Sequence, residues 1–148
     1  MTAAQIMETI AMLAMGLVIA RYRVKWILFV ALICGVLRYG FYAVDEVSWL
    51  ILGITLHGIC WTFFFEAGRV FVHRRVEEGM RAQAQALLGF FTGGLGSVLG
   101  ILVVNQLHRA IVPTHGWSAY WMILTGMNCV ALVIFALGYQ GQKNVSGL

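Results

Sequence analysis

Three ionisable residues fall at matching depths in three successive apolar stretches: Glu8, Arg38 and His57. At helical rise, Glu8 lies about 9 Å into the first stretch and Arg38 a similar distance from the far end of the second. His57 lies about 12 Å into the third. An ionised group near the centre of a bilayer costs about 2.5–3.5 kcal/mol, so such groups pair or face a cavity. A carboxylate, a guanidinium and an imidazole brought together can hold a polar ligand or pass a proton. Two arrangements satisfy these depths. One is an interior cluster in which Glu8 pairs with Arg38. The other is an Arg38 that snorkels outward past a neutral core histidine.

Spacing groups further residues. Gln5 and Glu8 are three apart and share a helix face, with Thr2 and Thr9 nearby. A polar stripe on an apolar helix points away from lipid, toward another helix or a ligand. His57 and Trp61 are four apart, with Thr62 beside Trp61. An aromatic ring among polar groups suits a flat or sugar-like ligand, and it equally suits packing within a bundle. Glu66 and Arg69 are three apart and can pair within their own helix at its inner rim, a structural role. His108 and His115 fall in a loop at a spacing that does not make a metal site. No phosphate loop, zinc spacing or Ser/His/Asp arrangement is visible, so neither an enzyme nor a metal or other cofactor is expected.

The elements that must carry these residues follow from composition. The 148 residues are 61% hydrophobic and only 11% charged, with a mean hydropathy of +0.85. Soluble domains carry about a quarter charged residues. A bilayer-spanning helix needs about 20 apolar residues. Five such stretches can be read, over residues 2–20, 26–44, 49–72, 82–107 and 117–139. The expected fold is therefore an all-α membrane protein with five transmembrane helices in one membrane domain. Lipid leaves no free backbone group satisfied, and period-2 alternation is absent, so helices are the default. Pro113 is placed in the loop before the last span.

The N-terminus lacks the basic region of a signal peptide. Cys34, Cys60 and Cys129 fall inside spans, as small apolar fillers. The fourth span holds Gly89, Gly93, Gly96 and Gly100, two GxxxG spacings that permit close helix approach, and glycine also permits bending. The net charge of +4 gathers at helix ends, which argues for membrane orientation rather than a nucleic-acid partner. "RYRVK" and "HRRVEEGMR" are basic, "DEVS" carries no basic residue, and the tail carries Lys143. Basic loops stay cytoplasmic, so the N-terminus is expected outside and the C-terminus inside the cell's inner membrane. Trp26, Trp49, Trp117 and Tyr139 sit at span edges as interfacial anchors.

Four segments carry a resemblance: "QIMETIAMLAMGLVIARYRVKWILFVALICGVLRYGFYA", "LHGICWTFFFEAGRVFV", "MRAQAQALLGFFTGGLGSVLG" and "GWSAYWMILTG". In this order they resemble the last five helices of the nucleoside:proton symporters of the major facilitator superfamily. "RAQAQALL" entering a Gly-rich helix is the most specific piece. The resemblance implies a C-terminal portion of a transporter that moves a nucleoside with protons by alternating access. The substrate of such transporters sits between two halves, so the N-terminal half is an implied partner beside the lipid bilayer. The resemblance also implies a substrate site at Gln5, Glu8, His57, Trp61 and Thr62. Proton coupling or ion pairing is implied for Glu8, Arg38 and His57. His57 stands where the family more often has tyrosine, and Thr62 where it often has aspartate. Five helices do not make a two-sided cavity, so the chain alone is expected to be inactive. The alternatives are a small multi-pass membrane subunit and a fragment of a sugar-type transporter.

Overall fold

The computed structural model describes residues 3–139; Thr2 and Lys143 lie outside them. Five α-helices account for most of this length. Helix α1 runs Ala3–Arg21, α2 Val24–Ala43 and α3 Val47–Arg75. After a short turn at Glu78–Met80 come α4, Arg81–Gly89, a wider π-helical segment at Phe90–Leu95, and α5, Gly96–Gly138. Among the described residues, four helical runs are long and apolar enough to cross a membrane, the last covering Glu78–Gly138.

That last run does not continue straight. At Gly116 the backbone takes φ 78°, which is left-handed and open to glycine because it has no Cβ. The chain reverses there, and the two arms of α5 lie side by side. The His108 ring packs on Trp117 and Tyr120 across the reversal, with centroids 5.1 and 6.1 Å apart. The second arm, residues 117–138, descends antiparallel to α2. Ser118 donates to the Ala43 carbonyl at 2.6 Å at one end, and Lys25 to the Tyr139 carbonyl at 2.9 Å at the other.

The stretch placed in a loop by sequence is therefore helical. His108, Pro113 and His115 belong to the first arm, and the connection shrinks to one glycine. Proline is tolerated there although it removes one backbone donor near the helix end. The neighbouring Thr114 hydroxyl donates to the Ala110 and Ile111 carbonyls, both at 3.3 Å. The spans also run past the apolar windows. At 1.5 Å per residue, the 29 residues of α3 extend about 44 Å, beyond a hydrocarbon core of about 30 Å. Its last turn carries His73, Arg74 and Arg75.

Helix α3 is the centre of the bundle, packing on α1, α2 and α4. At one end Met15, Val24, Ile27 and Ala67 join the first three helices in a buried cluster. Nearer the other end, Gly58 lets α3 touch α1 backbone to backbone. A Cβ there would collide with the Ala4 carbonyl and the Glu8 amide. The GxxxG glycines play no such part. Gly89, Gly93 and Gly100 have open space around them, and the π segment passes through this glycine-rich stretch instead. Residues 89–104 present a broad exposed apolar face that includes Phe90, Phe91, Val98, Leu99 and Ile101.

Candidate functional site

The first helix buries one side and leaves the other open. Ala11 and Met15 face α3, while Gln5, Thr9 and Met12 are exposed and Glu8 lies at the boundary, half-buried. The Thr9 hydroxyl donates to the Gln5 carbonyl at 2.9 Å, turning that polarity back onto the helix. Gln5 and Glu8 thus sit on or beside the exposed side of α1.

On α3 the three expected residues diverge. Trp61 is 48% exposed and Thr62 1%. The Thr62 hydroxyl points to the Glu8 backbone carbonyl at 3.5 Å, so it ties α3 to α1 at the foot of the site. Trp61 and Thr62 line a cavity of about 380 Å³ together with Met12, Thr92 and Ser97. Glu66 and Arg69 line the same cavity, one and two turns further along. They form the expected pair at 2.8 Å, and the Arg69 carbonyl accepts from the Gln85 amide, also at 2.8 Å. The pair is thus both a rim contact and part of the cavity wall.

His57 belongs to a second, more open chamber of about 400 Å³, lined by α2, α3 and both arms of α5. Here Arg38 takes another partner than the Glu8 of the first arrangement. Arg38 meets His57, and the ion pairs among the described residues are Glu66–Arg69 and Glu78–Arg81, so Glu8 and Arg38 do not pair. Arg38 reaches across from α2, and its Nη1 donates to His57 Nδ1. The guanidinium also lies over the Tyr39 ring, 4.2 Å from its centroid, as a cation–π contact. Its Nε is buried and has no hydrogen-bond partner among the described residues. Equal depth allowed Arg38 to meet either Glu8 or His57. The rotation of α2 decided which of the two Arg38 would meet.

The two spaces are joined on α3 by the ring contact of His57 with Trp61, 5.9 Å between centroids. Sequence reasoning passed over the aromatic wall of the chamber: Tyr39, Tyr42, Tyr120 and Trp121. Trp121 stacks on Tyr39 at 6.0 Å and meets Tyr42 edge-on at 5.0 Å. The signal was present in the spacing, since Tyr39 and Tyr42 are three apart beside Arg38 and "GWSAYW" opens the last arm. Among the described residues no group of three His, Cys, Asp or Glu could hold a metal.

Comparison with known proteins gives the family. Residues 1–144 match the family described as "Nucleoside H+ symporter". The chain belongs to the nucleoside H+ symporter family. It is 28% identical to YegT of Escherichia coli (strain K12) over 97% of this chain and 37% of that protein. It is 27% identical to the nucleoside permease NupG of the same organism, over 91% of this chain and 34% of the permease. The structure matches the crystal structure of the nucleoside transporter NupG in a mutant form, with a TM-score of 0.88 and 26% identity, over 93% of this chain and 36% of that one. The chain thus spans little more than a third of the length of these relatives. The family's members are transporters, not enzymes, and the apolar helices agree with a place in the membrane.

Proposed function

We propose that this chain is the C-terminal, five-span portion of a proton-coupled nucleoside transporter of major facilitator type. The observation that carries the reading is the fold match to NupG along most of this chain and about a third of that transporter. The run Glu78–Gly138 supplies two crossings, because it folds back at Gly116. The basic loops support an N-terminus outside and a C-terminus in the cytoplasm, with the chain in the inner membrane.

The open face of α1 and the exposed Trp61 form one wall of a central cavity, and the remaining transporter half forms the other. Gln5 and Glu8 hydrogen-bond the vicinal hydroxyls of a ribose, which a carboxylate and an amide match. Trp61 stacks on the base. Thr62 fixes the α1–α3 spacing under it, and His57 sits one turn away. Glu8, Arg38 and His57 are the groups that serve proton coupling or ion pairing in this reading. Alternating access then rocks this bundle against the missing half.

Uptake of a radiolabelled nucleoside tests the reading. Cells making this chain alone, with insertion verified, take up no more than background. Cells that also make the complementary seven spans take up nucleoside in a saturable, proton-dependent way. Saturable uptake by the chain alone would overturn the need for a second half. No uptake by the reconstituted pair would overturn the transport function.

A further inference from the structure

We propose that His57 is a two-position proton switch, held by Arg38 of α2 when neutral and drawn toward Glu8 of α1 when protonated. The contact itself fixes the first position. A guanidinium has donors only, so the His57 Nδ1 that meets Arg38 must be an unprotonated acceptor, with the ring proton on Nε2. When a proton from water binds Nδ1, that lone pair is used, the Arg38 bond breaks and the ring gains a charge of +1. An imidazolium then stands against a guanidinium in surroundings where like charges repel strongly. The acidic side chain on the opposite neighbour of α3 is that of Glu8, whose backbone amide stands against Gly58, the residue after His57. Losing one partner and gaining the other therefore moves in a single direction, from α2 to α1.

The place of His57 gives this movement consequences. Gly58, the next residue, is seated against the backbone of Ala4 and Glu8. One turn earlier, Gly53 is seated against the Tyr42 ring and the Arg38 carbonyl of α2. The segment 53–58 is thus where α3 is fixed to both neighbours, and His57 is its titratable side chain. The other ionisable groups lining the chamber are Tyr39 and Tyr42 on α2 and Tyr120 on α5, with Cys60 of α3 behind them against Gly35 of α2. Phenols and thiols stay neutral where an imidazole titrates, so they do not compete for the proton. Arg38 is accordingly a positioning residue that acts through His57, and Trp61, in ring contact with His57, feels the exchange.

The switch deepens the coupling role proposed above, yet it is read from packing, so a chain that moves no nucleoside still displays it. The reporter is Trp121 on α5, which stacks on the Tyr39 ring beneath Arg38 and does not titrate. The chain is labelled with 5-fluorotryptophan, reconstituted in nanodiscs and followed by fluorine NMR from about pH 8 to about pH 4, which spans and extends below the range in which histidine ordinarily changes charge. The Trp121 signal moves between two positions on acidification. In His57→Gln it stays at the alkaline position, because the amide oxygen still accepts from Arg38 and takes no proton. In Arg38→Gln it stands at the acid position throughout. In Glu8→Gln the acid-induced shift shrinks. A parent signal that does not move overturns the proposal without any variant. So does a His57→Gln, Arg38→Gln or Glu8→Gln protein whose signal follows pH as the parent's does.

Discussion

Gly58 of α3 stands directly against the Glu8 backbone of α1, with no room for a Cβ between them. The residue proposed to bind ribose is therefore positioned by main-chain contact rather than by a side chain that could relax. One turn on, the Thr62 hydroxyl repeats the tie at the Glu8 carbonyl. Glu8 is thus anchored at its backbone while its carboxylate lies at the edge of the open face.

The stability of this joint is the first prediction. Gly58→Ala forces α1 and α3 apart. Overpacking of this kind costs about 1–3 kcal/mol, read as a lower midpoint in thermal unfolding of the detergent-solubilised chain. Gly93→Ala, in open space within the helical run, leaves the midpoint unchanged or raises it, because alanine favours helix by about 1 kcal/mol over glycine. Equal loss in both variants would mean that α1 and α3 are not in backbone contact.

The second prediction concerns orientation. With Cys34, Cys60 and Cys129 replaced, a cysteine at Ser48, just beyond the acidic Asp45–Glu46 connection, reacts with an impermeant thiol reagent added outside cells. One at Glu78, at the exposed entry to α4, does not. The opposite labelling would invert the charge-derived topology.

The helices were legible because hydropathy over about 20 residues follows directly from bilayer thickness. Their ends were less so. His108 to His115 is too polar to count as a span, yet a helix does not stop where the lipid does, and only the positive φ of Gly116 ends it. Depth along each helix could be counted, which brought Glu8, Arg38 and His57 to one level. Rotation about each axis could not, so the Arg38–His57 contact needed the packed bundle. The glycine spacings misled for a related reason. GxxxG allows close approach, but the close approaches occur at Gly53 and Gly58, outside any GxxxG pair.

The last prediction weighs the carboxylates against each other in a complete transporter, where uptake can be measured. Glu8 and Glu66 both lie on α-helical faces turned toward the open side, but their partners differ. Glu66 is held by Arg69 at 2.8 Å within its own helix, which satisfies its charge without a ligand. Glu8 makes no ion pair among the described residues, and its side chain borders the uncovered face of α1. A hydrogen bond to a charged group contributes about 1.5–3 kcal/mol, which is about tenfold to a hundredfold in affinity. Glu8→Gln therefore raises the nucleoside concentration for half-maximal uptake by that factor while leaving the amount of inserted protein unchanged. Trp61→Ala, which removes the stacking ring, weakens uptake as well. Glu66→Gln is milder, since it loosens one exposed pair worth about 0–1 kcal/mol. If Glu66→Gln abolishes transport while Glu8→Gln matches the parent, the ligand sits lower along α3, in the cavity bounded by Glu66, Arg69 and Thr92, and Glu8 serves only the contact between α1 and α3.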